Sequence, residues 1–178
     1  MIKSIHISIF LILLSLAPPS HLGAMSAVES ITGTRPTYEV THSDTLPTVF
    51  KIGENEAAYE ALVTECSNPL LTVCKDSMDL AYRRWMTMLS EMEVFAEKSD
   101  FDIKGIKIWL NVFWSPEGEI KHLVYFPKPN SRNMDFDLLT KFLFNFVDHY
   151  KMESLDDYCF SHYGSAAFPT FADIYLKE

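Results

Sequence analysis

IKIWLNVFWSPEGEIKHLVYF, residues 106–126, reads as two strands and a tight turn, and the register of that hairpin decides which residues form a core. Pro116 presets φ for the first turn position, and Gly118 accepts the left-handed conformation that closes it. The spacing predicts a three-residue loop with Ser115 opposite Glu119. Continued along both strands, that register sets Trp114 against Ile120, Val112 against His122, Leu110 against Val124 and Ile108 against Phe126. One face is then almost wholly apolar, with His122 at its margin. The other pairs Phe113 with Lys121, Asn111 with Leu123 and Trp109 with Tyr125. A one-residue slip would carry charges into the apolar face, so this register is the expected one.

Outward from the hairpin the pattern turns helical. Met78, Ala81, Trp85, Met88, Met92 and Phe95 recur at steps of three and four, which predicts an amphipathic helix over 76–97. A shorter helix is expected over 55–66. A third runs to about residue 150 behind Asn133 or Asp135 as cap, with Phe136, Leu139, Phe142, Leu143, Phe146 and Val147 on one side. Tyr158 to His162 reads as a third strand ended by Gly164, and Pro169 interrupts any helix in the tail. The fold class expected is α+β, with two or three helices on one face of a small antiparallel sheet built around the 106–126 hairpin. Residues 54–178 form its single domain. Residues 27–53, rich in Ser, Thr and Pro, read as an irregular N-terminal extension with short strands at 37–40 and 48–52.

The first 26 residues read as a signal peptide. Lys3 is followed by the apolar run Ile5–Ala17, then Pro18-Pro19 and the small residues around Ala24 and Ser26. The run is shorter than the roughly 20 residues a membrane span needs. A cleaved leader implies a periplasmic or extracellular protein with no stable membrane anchor. The net charge of −9 argues against nucleic-acid partners, and removing the leader takes away one cation and no carboxylate. Oxidising surroundings favour cysteine pairing. Cys66 and Cys74 flank Asn68-Pro69, so a Cys66–Cys74 bridge is expected across that loop; two buried thiols are the alternative, and Cys159 is left as a buried thiol.

The chemistry-bearing residues are sparse. His42, His122, His149 and His162 belong to no metal motif, and no glycine-rich phosphate loop occurs, so neither metal nor cofactor is implied. The string His162-Tyr163-Gly164-Ser165 allows a small secreted hydrolase as an alternative reading, with Ser165 as nucleophile, His162 as base and Asp157 as orienter. The G-x-S-x-G nucleophile elbow is missing, because Ala167 stands where its second glycine belongs.

Gly105 opening the first strand, Glu117-Gly118 in the turn, and Leu138-Leu139 in the following helix give residues 100–152 an order that resembles the TonB C-terminal domain family. The resemblance implies a periplasmic protein-binding module that works by adding a partner strand to a sheet edge, for which the 158–162 segment is the expected edge. The long preceding helix departs from that pattern, and Tyr150-Lys151-Met152 replaces the usual Phe-Pro. The reading expected is therefore a non-catalytic interaction module for another envelope or secreted protein. Trp109, Phe113 and Tyr125 are the candidate binding residues, unless the extension or the aromatic tail covers them.

Overall fold

The structure, a computed structural model, describes residues 46–153 and 155–176. The expected leader, His42 and the strand expected at 37–40 lie outside the described residues. The element order is β1 (Val49–Lys51), α1 (Glu56–Glu65), β2 (Asn68–Pro69), α2 (Leu70–Val73), α3 (Met78–Lys98), β3 (Lys107–Trp114), β4 (Ile120–Pro127), α4 (Phe136–His149), β5 (Phe160–Ala167) and α5 (Asp173–Leu176). The strands form one sheet in the order β1-β4-β3-β5-β2. Its centre is antiparallel, while β1 and β2 pair parallel at the two edges, so the α+β sheet is mixed.

Local chemistry accounts for the helix starts. Ser77 Oγ accepts from the Leu80 N–H at 3.3 Å, and the Asp135 carboxylate accepts from the Asp137 N–H at 2.9 Å, so each satisfies a backbone donor that the first turn leaves open. Ala81, Trp85, Met88, Leu89 and Met92 of α3 and Leu139, Leu143 and Phe146 of α4 then bury their stripes against the sheet. Phe95 departs from the expected stripe and packs sideways, 5.7 Å from Phe142 and 5.9 Å from Phe146. Met78, at the exposed start of α3, lies outside the core.

The turn has the expected form: Ser115 N–H donates to Glu119 O at 2.8 Å and Gly118 has φ +83°. A side chain at Gly118 would also meet the Met152 carbonyl oxygen at 2.0 Å, so only glycine fits both the conformation and the contact. Beyond the turn the register departs from the expected one. Trp114 pairs with Ile120, but Phe113 pairs with His122, leaving Lys121 as an extra residue in a β-bulge. From there every β4 side chain changes face. Leu123 and Tyr125 join Ile108, Leu110 and Val112 under α3 and α4, whereas His122, Val124 and Phe126 turn to the opposite face. The bulge leaves the charge of Lys121 in solvent and sends two large apolar side chains into the main core.

Part of that opposite face is covered by α1, although the expected arrangement placed the helices on the other face and left the cover to the extension or the tail. Phe50 of β1, Leu62 and Tyr59 of α1, Cys66, Phe113 and Val124 make a second, smaller cluster. Tyr59 meets both Phe50 and Phe113 edge-on, at ring separations of 6.5 and 6.2 Å, and its hydroxyl accepts from the Asn111 side-chain N–H at 3.0 Å. Edge-on contact sets the positive ring edge against a negative ring face.

The expected Cys66–Cys74 bridge is not formed. Cys66 pairs with Cys159, at a Cα separation of 5.1 Å, and Cys74 is a free buried thiol. The reason is topological. β2 enters the sheet between Cys66 and Cys74, so Cys66 joins the α1 cluster while Cys74 joins the main core on the other face. Parallel pairing of Asn68 with Phe160 brings the residues just ahead of β2 and β5 side by side, and these include Cys66 and Cys159.

β5 runs to Ala167, well past the glycine expected to end it. Gly164 instead lets α3 approach: a side chain there would come within 2.8 Å of the Trp85 ring. No described helix is long and apolar enough to cross a membrane.

Candidate interaction surface

α1 covers only half of its face of the sheet. The uncovered half carries Ile52, Phe126, Trp109 and Tyr163, all exposed, with Trp109 at 37% and Tyr163 at 55%. The register explains the grouping. Trp109 lies between Phe126 on β4 and Ser165 on β5, and Tyr163 sits one step along β5 on the same side. The Trp109 and Tyr163 rings are nearly parallel, 15° apart with centroids at 5.6 Å. Lys128, just past β4, reaches back across Trp109. Its Nζ lies 3.9 Å from the indole centroid and donates to Ser165 Oγ. A cation over an indole face gains from the ring quadrupole, so the lysine holds the indole flat on the sheet.

Of the three candidate binding residues, only Trp109 belongs to this surface. Phe113 is 0% exposed, under α1. Tyr125 is 1% exposed on the other face, where its hydroxyl lies 2.7 Å from Thr140 Oγ1 and 3.1 Å from Phe136 O, and burial pushes its ionisation up. The bulge at Lys121 turns Tyr125 to the other face, whereas Phe113 keeps its face and is buried because α1 packs over it. Sequence reasoning missed Tyr163, Lys128 and Phe126; for Tyr163 the signal lies in the strand FSHYGSAA, residues 160–167, which holds no Asp, Glu, Lys or Arg and continues past its glycine.

Beside the aromatic patch runs an unpaired strand edge. Phe168 N–H donates to Ile106 O, so in the antiparallel β3–β5 ladder the even-numbered residues of β5 bond inward and the odd-numbered ones point outward. β2 pairs with β5 only at Phe160 and Ser161. The outward N–H and C=O groups of Tyr163, Ser165 and Ala167 therefore face no strand among the described residues. Natural edges are commonly guarded by charge, proline or a bulge, and residues 160–167 contain no charged residue and no proline.

The three residues of the hydrolase alternative are not brought together. Ser165 and His162 are an odd number of positions apart on one strand and project to opposite faces. Ser165 faces Trp109 and Lys128; the His162 ring packs 4.6 Å from Trp85 under α3, where burial lowers its affinity for a proton. Asp157 lies in the exposed turn ahead of β5, its N–H bonded to the Asp156 carboxylate at 2.7 Å. His122 Nδ1 lies 3.0 Å from Pro47 O and His149 Nδ1 2.7 Å from Asn145 O, so both rings are tied to backbone. Glu65, Cys66 and Cys159 place ligand-type atoms together, but the two sulfurs are spent in the disulfide. Burial pushes the Cys74 thiol up, away from a reactive thiolate. A groove of about 550 Å³ between α3 and α4 is floored by Phe95 and Phe146 and rimmed by Glu91, Lys98 and His149. Burial raises the Glu91 carboxyl, and Ser90, Ser99 and Tyr150 line the same groove.

No protein-family model matches the chain, and no curated protein or solved structure is similar to it. The Cys66–Cys159 disulfide is consistent with an exported protein.

Proposed function

We propose that the protein is a non-catalytic interaction module of the periplasm or the extracellular space, binding an extended segment of another envelope or secreted protein along the outer edge of β5. The observation that carries the reading is the coincidence of two unsatisfied features: the outward backbone groups of Tyr163, Ser165 and Ala167, and the exposed aromatics Trp109 and Tyr163 on the same side. Backbone pairing supplies affinity to an added strand, and side chains on alternate positions supply selectivity. The strand-adding mode of the TonB C-terminal modules, which residues 100–152 resemble in element order, points the same way.

The test is selection of displayed peptides on the full mature chain, followed by amide exchange. Bound peptide should protect the amides of Tyr163, Ser165 and Ala167. Ala167→Pro removes one outward donor without touching the β3 ladder and should weaken capture. If no selected peptide slows exchange at those three amides, the reading fails.

A further inference from the structure

The geometry points to an acidic partner: an extended segment with an apolar side chain beside Tyr163 and an Asp or Glu beside Ser165, met by Lys128. This rests on the reading of β5 as the binding edge. A strand added there lies about 4.8 Å outside β5, and its residues alternate between the two faces of the sheet. On the Trp109 side, the partner residue next to Tyr163 meets exposed aromatic carbon. The one next to Ser165 meets an ammonium, because Lys128 Nζ is already delivered to Ser165 Oγ. Lys107 is opposite Ala167 and projects to the same side as Trp109, giving a second cation one step further along. Among the described residues no carboxylate pairs with either lysine. A chain of net charge −9 thus presents two cations beside this aromatic strand edge. A second copy fits this edge poorly, since antiparallel β5–β5 pairing would bring like-charged Lys128 side chains toward each other.

The experiment uses the full mature chain and three fluorescein-labelled peptides of pattern Thr-Val-Thr-X-Thr-X-Thr, with X as Asp, Asn or Lys, titrated by anisotropy and mapped by amide exchange. The Asp peptide should bind best, about tenfold tighter than the Lys peptide, with the gap closing at high salt. Lys128→Glu should reverse the order, and Lys128→Gln should reduce the preference to the share that Lys107 supplies, without unfolding the chain. Equal binding of all three, with Tyr163, Ser165 and Ala167 protected, overturns the acidic preference and leaves the edge reading standing. No binding by any of them, or protection of those amides before peptide is added, overturns both. Protection without peptide would mean that the edge is taken by residues 27–45 or by a second copy, which sedimentation distinguishes.

Discussion

The two faces of the sheet are built from alternate residues of the same three central strands, yet they end in different states. Under α3 and α4, Ile108, Leu110, Val112, Leu123 and Tyr125 are fully buried. On the other face a helix of ten residues covers the row through Phe113 and stops short of the row through Trp109. Two large aromatics four positions apart on β3 therefore differ in role, one being core and the other surface. Hydrophobic character does not separate them. The reach of α1 does, and that reach is set by the tether from Cys66 to Cys159 and by the short loop into β2.

The strongest challenge to this contrast is a matched pair of truncations. Phe113→Ala should cost about 3–5 kcal/mol in denaturant unfolding, as large-to-small changes in a closed core do. Trp109→Ala should cost about 1 kcal/mol, the worth of an exposed stack and a cation contact, while weakening peptide capture. Equal losses would mean that the Trp109 end is covered as well. Next in size is the tether. Cys66→Ser should lower stability by about 2–5 kcal/mol, read from the midpoint shift, because the bridge closes a long loop; Cys74→Ser should leave the electrophoretic shift on reduction unchanged. Gly164→Ala should cost about 1–3 kcal/mol by pushing a methyl group against the Trp85 ring, and its effect should shrink in a Trp85→Leu background.

The smallest effect is a slope with pH. His162 is buried against Trp85, and its pKa in the folded chain lies below the ordinary 6.5. Its neutral form favours folding, so that contribution is complete above pH 6.5 and is lost as pH falls below that value. Glu91, raised by burial, has the opposite sign, its contribution being lost as pH rises from the carboxylate range. Unfolding midpoints at pH 7.5, 6.5 and 5.5 should therefore fall less steeply toward acid in His162→Gln than in wild type. An unchanged slope would show that His162 is solvated at the margin of the main face.

Much of the fold is legible in the chain because it is local. The stripe Ala81, Trp85, Met88 and Met92, the caps Ser77 and Asp135, and the Ser115–Glu119 loop each depend on residues within a turn or two of one another. The bulge at Lys121 is not legible in the same way. Either register buries an apolar set on one side, and the choice depends on α1 lying on the other side to receive Val124. The length of β5 escaped for a related reason: Gly164 reads as a stop until Trp85 is placed over it.

The sequence by itself determined the α+β class, the three principal helices and the hairpin loop, because periodicity, capping and turn chemistry act over short spans. It also marked Trp109 as an aromatic without an obvious core. Tertiary structure alone decided that Cys66 joins Cys159, that Phe113 and Tyr125 are core while Tyr163 and Lys128 complete the surface, and that β5 beyond Ser161 has no outer strand among the described residues. Each of these depends on which strands become neighbours, and the parallel pairings of β1 with β4 and β2 with β5 join segments that no local pattern links.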